Sequence, residues 1–175
     1  TVNVEQPMVA DDTQFAADVN EQINKIVDQY IEEANQRIAE YREAFLATGG
    51  TEEEFEQKNI QVDVDYEILS ETEDRVSFVL RAAESDISAG KEIVYYNLDL
   101  ATGQVLTLED VLGEDWVNIC NSSIQEQMAA NTDVSYFSED QGGFTTVDEN
   151  TSFYLDEDGS VVVVFPKYSI APGAY

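Results

Sequence analysis

Apolar residues first recur every three or four positions and later every second position, and the change falls near residue 58. Phe15, Val19, Ile23, Val27, Tyr30, Ala34, Ile38, Tyr41 and Phe45 carry the first rhythm. That is the period of an amphipathic helix. Ile26 and Ile31 widen the stripe, and Asp28, Glu32, Glu33, Gln36, Glu40 and Glu43 fill the opposite face. Asp11, Asp12 and Thr13 offer N-cap chemistry, and Gly49 and Gly50 end the run. The stripe lacks sustained heptads, so packing on a sheet is expected in preference to a coiled coil. A helix this long leaves room for an internal break. Ahead of it, alternating Val2 and Val4 before Pro7 predict a short edge strand.

Thr51 to Gln57 reads as a Glu-rich linker or a short helix. The two-residue rhythm then begins: Ile60, Val62, Val64, Tyr66 and Ile68 alternate with Gln61, Asp63, Asp65 and Glu67. Such a strand has one wet face. A turn over Glu71 to Asp74 leads to a second strand (Val76, Phe78, Leu80, Ala82). A loop from Ser85 to Gly90 precedes a third, from Ile93 to Leu100. Thr102-Gly103 makes a tight turn, and Val105 to Thr107 returns briefly.

Thr107 and Asp110 have the spacing of a capping box, and Gly113 stops the short helix that follows. Asp115 caps a second helix with Trp116, Ile119, Cys120, Ile124 and Met128 inward. Asn131 to Thr146 is a polar loop. Phe153 and Leu155, a turn at Asp156 to Gly159, and Val161 to Phe165 form a terminal hairpin. Its second strand is apolar on both faces and is expected at the centre of the sheet.

The pattern predicts an α+β fold: a meandering antiparallel sheet of five or six strands, with one long and one shorter helix on one face. Residues 1–58 supply the N-terminal strand and long helix, and 59–175 the sheet with its helix, packed together as one globular unit. The expected core includes Val27, Tyr30, Val64, Phe78, Leu98, Trp116, Ile119, Val162 and Val164.

Composition narrows the chemistry. The 175 residues hold no histidine, and 37 acids face 8 bases, for a formal charge of -29. Without imidazole there is no Ser-His or Cys-His nucleophile pair and no His-bearing zinc site. So acidic a chain does not bind phosphate backbones by simple attraction, which excludes nucleic acid as a partner. The acidity has three readings: a solvated salt-adapted surface, a field that steers a cationic partner, or binding of multivalent cations. The longest purely apolar run, Val161 to Phe165, is far short of the ~20 residues a membrane span needs. No leader is visible and the chain opens at Thr1, so a membrane association is expected only through an anchor outside it.

Candidate chemistry is sparse. Carboxylate pairs recur throughout the chain, so no one pair is diagnostic; Asp63 and Asp65 share a strand face and could in principle serve carboxylate-based glycan hydrolysis, but keeping that face wet is the simpler reading. Asp156, Asp158 and Gly159 suggest a calcium loop, yet the glycine and acid spacing is wrong for an EF-hand, and a hairpin turn explains them as well. Cys120 has no basic neighbour in sequence and reads as a small buried apolar residue. No cofactor motif is present, so no cofactor and no catalytic residue are assigned.

Several strings act as a set. They are Tyr95-Tyr96-Asn97-Leu98-Asp99-Leu100, Thr102-Gly103 and Leu106-Thr107-Leu108-Glu109-Asp110. With them go Phe153-Tyr154-Leu155, Val162 to Phe165, and Tyr168-Ser169-Ile170-Ala171-Pro172-Gly173. Together they resemble the C-terminal, extracytoplasmic domain of RsiV-type anti-sigma factors, which also accompanies PdaC-type peptidoglycan deacetylases. Pro7 ahead of Ile23-Asn24 and the long helix resembles the small domain that usually precedes it. The resemblance implies a non-catalytic extracytoplasmic sensor or binding domain of a bacterial cell-envelope protein, secreted or membrane-anchored. It implies a basic protein such as lysozyme as partner. In the deacetylases catalysis belongs to a separate, histidine-bearing domain, which leaves an accessory role as the alternative. Pro172 and Gly173 read first as a turn after the last strand with Tyr168 and Ile170 packed beneath it; read functionally, Tyr168, Ile170, Pro172 and Gly173 are the candidate partner-binding residues, since an aromatic on a surface loop is a common anchor.

Overall fold

The structure is a computed structural model that describes residues 1–10, 12–85 and 91–172. Asp11, part of the predicted loop before residue 91, and Gly173 lie outside the described residues. The elements in chain order are β1 (Val2–Val4), α1 (Gln14–Ala47), α2 (Glu52–Gln57), β2 (Val62–Glu71), β3 (Arg75–Glu84) and β4 (Lys91–Asp99). They continue with β5 (Gln104–Val105), α3 (Leu108–Leu112), α4 (Trp116–Ala130), β6 (Ser152–Leu155) and β7 (Val161–Val164). The α+β class is borne out, with a mostly antiparallel sheet in the order β1-β2-β3-β4-β5.

Two features depart from the expected meander. β1 joins β2 in parallel, with Val2 opposite Val62 and Val4 opposite Val64. The long connection through α1 makes this reachable, since parallel strands need a crossover. The second departure is the terminal hairpin. β6 and β7 form a separate two-stranded antiparallel sheet, so β7 is not a central strand. Its four valines are all only half-buried.

By its contacts the chain forms two compact units. The first comprises Thr1–Ile68, Phe78–Tyr96 and Thr102–Gln104. Here α1 runs unbroken for 34 residues, about 50 Å, with Ala16, Val19, Ile23, Val27, Tyr30 and Ala34 buried at helical spacing. The Thr13 hydroxyl caps it by accepting from the Ala16 amide. Val62, Val64, Phe78, Val79 and Leu80 supply the strand side of this core, and Phe78 stacks on Tyr96 at 5.0 Å. The Arg37 guanidinium of α1 bonds the Glu84 carboxylate of β3, whose side chain is completely buried. The segment after Gly50 is a helix: Thr51 and Glu54 form a capping box, and Phe55 packs edge-on against Tyr41. Tyr66 and Ile68, predicted inward, are exposed. Alternation decides which face a side chain takes, but burial needs a neighbour over that face.

The second unit comprises Leu69–Ser77, Asn97–Ala101 and Val105–Tyr175. Its core is Leu108, Cys120, Ile124, Val147, Phe153 and Leu155, with Trp116, Val161, Val163 and Phe165 packed at its margin. Thr107 and Asp110 form the predicted capping box, and Gly113 ends α3 with a φ of 82°. Of the predicted core, Val27, Tyr30, Val64, Phe78 and Leu98 are buried. Trp116, Val162 and Val164 are half-buried, and Ile119 is 44% exposed.

Candidate functional site: an apolar groove beside a strand edge

The second unit carries a groove of about 500 Å³. One wall is α4, through Ile119, Cys120, Ser123, Ile124, Gln127 and Met128. The opposite wall is β7, through Val161, Val162, Val163 and Phe165. Leu112, Tyr136 and Ile170 close it. The α4 positions fall into two neighbouring rows three or four residues apart. The inner row, Cys120 and Ile124, reaches the core. The outer row, Ile119, Ser123 and Gln127, stays open, and the Gln127 side-chain amide bonds the Ser123 hydroxyl at 3.0 Å. An apolar arc that holds both Ile119 and Cys120 is wider than one packing partner covers, which is the signal in the sequence for this groove.

The hairpin wall owes its position to polar side chains. Asn97 Nδ2 donates to the Phe153 carbonyl at 2.9 Å, and the Leu155 amide donates to Asn97 Oδ1 at 3.2 Å and to Ser77 Oγ at 3.3 Å. Ser70 Oγ donates to the Leu155 carbonyl at 2.6 Å, and Ser77 Oγ donates to Asn97 Oδ1 at 2.8 Å. Ser70, Ser77 and Asn97 are all buried. They satisfy one edge of β6 as a neighbouring strand would, which is why the hairpin needs no backbone ladder on that side.

The charge around the groove is one-sided. Between Val105 and Pro172 the only basic side chain is Lys167, against thirteen carboxylates. The lining itself carries no ionic group. Burial pushes the Cys120 thiol up from its ordinary range, so it stays protonated and serves as an apolar wall residue.

Of the predicted partner-binding residues, Ile170 is part of this groove, and Gly173 lies outside the described residues. The Ile170 carbonyl accepts from the Phe137 amide at 2.8 Å. Tyr168 is 64% exposed and holds a left-handed backbone with φ 69°, with Lys167 Nζ 5.2 Å from its ring centre. That backbone costs a tyrosine energy which the surrounding structure must offset, and such outliers cluster at functional sites. Pro172 is exposed. The other candidates are placed elsewhere. Asp63 accepts from Asn3 at 2.7 Å, and Arg81 bridges Asp65 at 2.8 Å and Glu67 at 3.0 Å on an exposed face. Asp156 Oδ1 accepts from the amides of Asp158 and Ser160, the pattern of a hairpin turn. Among the described residues no cluster of acids or cysteine is arranged to hold a metal ion.

Residues 109–175, which contain every groove-lining residue, match the family model described as Protein of unknown function (DUF3298). The chain resembles RsiV over most of its length. It is 25% identical to Anti-sigma-V factor RsiV of Bacillus subtilis (strain 168) across 86% of its own residues. It spans about half of that protein, 53%. Its fold is similar to the crystal structure of a DUF3298-family member from Bacteroides fragilis NCTC 9343. There the TM-score is 0.55 at 19% identity, covering 86% of this chain and 62% of the other. The curated relative is named as an anti-sigma factor and not as an enzyme. No helix among the described residues is long and apolar enough to cross a membrane.

Proposed function

We propose that this chain is a non-catalytic, extracytoplasmic sensor domain of a bacterial cell-envelope protein, which recognises a cationic protein such as a basic lysozyme. The observation that carries the reading is the acidic excess of the segment that forms an uncharged groove, thirteen carboxylates against Lys167, together with a strained, exposed tyrosine two residues before the groove residue Ile170. Likeness to an anti-sigma factor supports a protein partner in preference to a substrate. A field of this sign steers a basic protein toward the domain, and an aromatic on a turn anchors it.

Calorimetric titration with a basic lysozyme at low and at high salt tests this. Binding is expected at low salt and should weaken steeply at ~1 M, where the Debye length falls to ~3 Å. Tyr168→Ala should weaken binding by about tenfold, the scale of a modest hot spot of ~1–2 kcal/mol. Absence of binding at low salt, or turnover of peptidoglycan by the purified chain, overturns the proposal.

A further inference from the structure

Ile26, Gln29, Tyr30 and Glu33 follow one another at three- and four-residue steps, so they stand on one stripe of α1. Glu92 of β4 lies across from them, and the five line a cavity of about 90 Å³ within the first unit. Its floor is apolar: Tyr30, only 5% exposed, and the half-buried Ile26. Its rim is polar and exposed: Gln29, Glu33 and Glu92.

The charge around this cavity is negative and only partly answered. Arg37 lies one helical turn beyond Glu33 and 3.7 Å from its carboxylate. Its guanidinium is committed to the buried Glu84 carboxylate and rests 5.5 Å from the centre of the Tyr30 ring. Glu33, Glu84 and Glu92 thus set three carboxylates against one guanidinium. Glu33 also accepts from the Gln29 side-chain amide at 2.9 Å. Among the described residues the Glu92 carboxylate has neither a hydrogen bond nor an ion pair, although Lys91 precedes it and Lys25 lies one turn before Gln29. Burial pushes the Tyr30 hydroxyl up from its ordinary range; Glu84 and Glu92 add to the rise and Arg37 opposes it.

The chemistry selects the occupant. Among the described residues no three acids are arranged to hold a metal ion. The cavity is also too small for a whole drug-sized ligand, which takes ~300 Å³ or more. A lysine side chain is a compact ammonium on a flexible methylene stem. Ile26 and the Tyr30 ring offer that stem apolar contact, and two carboxylates flank the charge at its end. The planar arginine fork is broader and asks for a carboxylate aimed along its plane.

We propose that this cavity is a socket for a lysine side chain of the cationic partner, with the ammonium between Glu33 and Glu92 and the methylenes against Ile26 and Tyr30. The inference rests on the cationic partner argued above and assigns it a contact on the first unit.

The probe is capped lysine, Nα-acetyl-lysine methylamide, titrated into the whole chain at low salt. NMR of the Gln29 side-chain amide and of the Tyr30, Glu33 and Glu92 backbone amides is the readout. Saturable shifts confined to these groups are expected, with none from capped norleucine and weaker binding of capped arginine. Shifts spread evenly over the acidic surface, or equal binding of norleucine or arginine, overturn the socket. Glu92→Gln removes one carboxylate at an exposed position and should weaken binding by about threefold or more. Gln29→Lys sets an ammonium of the chain's own beside Glu33 and should block the site. Thermal melting should be unchanged in both variants, so undiminished binding of capped lysine in either overturns the proposal. If a basic lysozyme binds the parent chain and both variants equally, the socket is wrong and the cationic-partner reading stands. If neither lysozyme nor capped lysine binds at low salt, both fall.

Discussion

Replacing Asn97 with alanine removes three buried hydrogen bonds at once: those with Ser77 Oγ, the Phe153 carbonyl and the Leu155 amide. The Leu155 amide keeps Ser77 Oγ at 3.3 Å as an alternative acceptor. The Phe153 carbonyl and the Ser77 hydroxyl are left without their partner in the buried interior of the second unit. An unsatisfied buried polar group costs about 1–3 kcal/mol. Two of them, with a water able to relieve part of the loss, put the expected destabilisation at about 3 kcal/mol. Trp116 is the single tryptophan and sits half-buried at the margin of this unit's core, so its fluorescence in a urea titration reports the unfolding. Ser77→Ala in the same background completes a double-mutant cycle, and the two changes should couple by more than ~0.5 kcal/mol because they share one network. A loss below ~1 kcal/mol, or strict additivity, would refute the argument that these side chains replace a strand on the edge of β6.

Arg37→Ala strands the fully buried Glu84 carboxylate without its guanidinium and should cost about 3–5 kcal/mol. Denaturant melts check this, and the R37M/E84M double variant should recover most of the loss. Cys120 and Tyr96 both have raised pKa values because burial disfavours their charged forms. Each folded group holds its proton to higher pH than the unfolded one, so its contribution is complete below the unfolded values of 9.0 and 10.0 and is lost as pH rises through the folded ones. Stability measured by urea melts should therefore fall on going from pH 8 to pH 11, and less steeply in Cys120→Ala; equal slopes in the two proteins would contradict it.

Much of the chain was legible because its signals are local. The stripe from Val19 to Ala34 became the buried face of α1, and the Thr107–Asp110 spacing became a capping box. The Asp156 to Gly159 string became a hairpin turn, with Gly159 at φ 81°. The alternation of Val62, Asp63, Val64 and Asp65 appears directly in the burial of β2. The candidate site was legible in part. Ile170 does line the groove, and Tyr168 is the exposed, strained residue beside it. The groove itself is not legible in the sequence, because the helical spacing places Ile119 inward beside Cys120. On a helix, position 119 lies next to 120, and the sequence pattern cannot say where the covering neighbour stops.

Taken alone, the sequence determined the element types, their facing sides, the caps and the overwhelming negative charge, since each depends on residues within a few positions or on simple composition. Only the tertiary structure decided that β1 runs parallel to β2, that β6 and β7 stand as their own sheet, and that buried side chains take the place of a strand on the edge of β6. Those outcomes turn on contacts between residues far apart, such as Ser70 with Leu155 across 85 positions. Periodicity specifies which way a side chain points, but the partner that meets it is chosen by the closure of the whole chain.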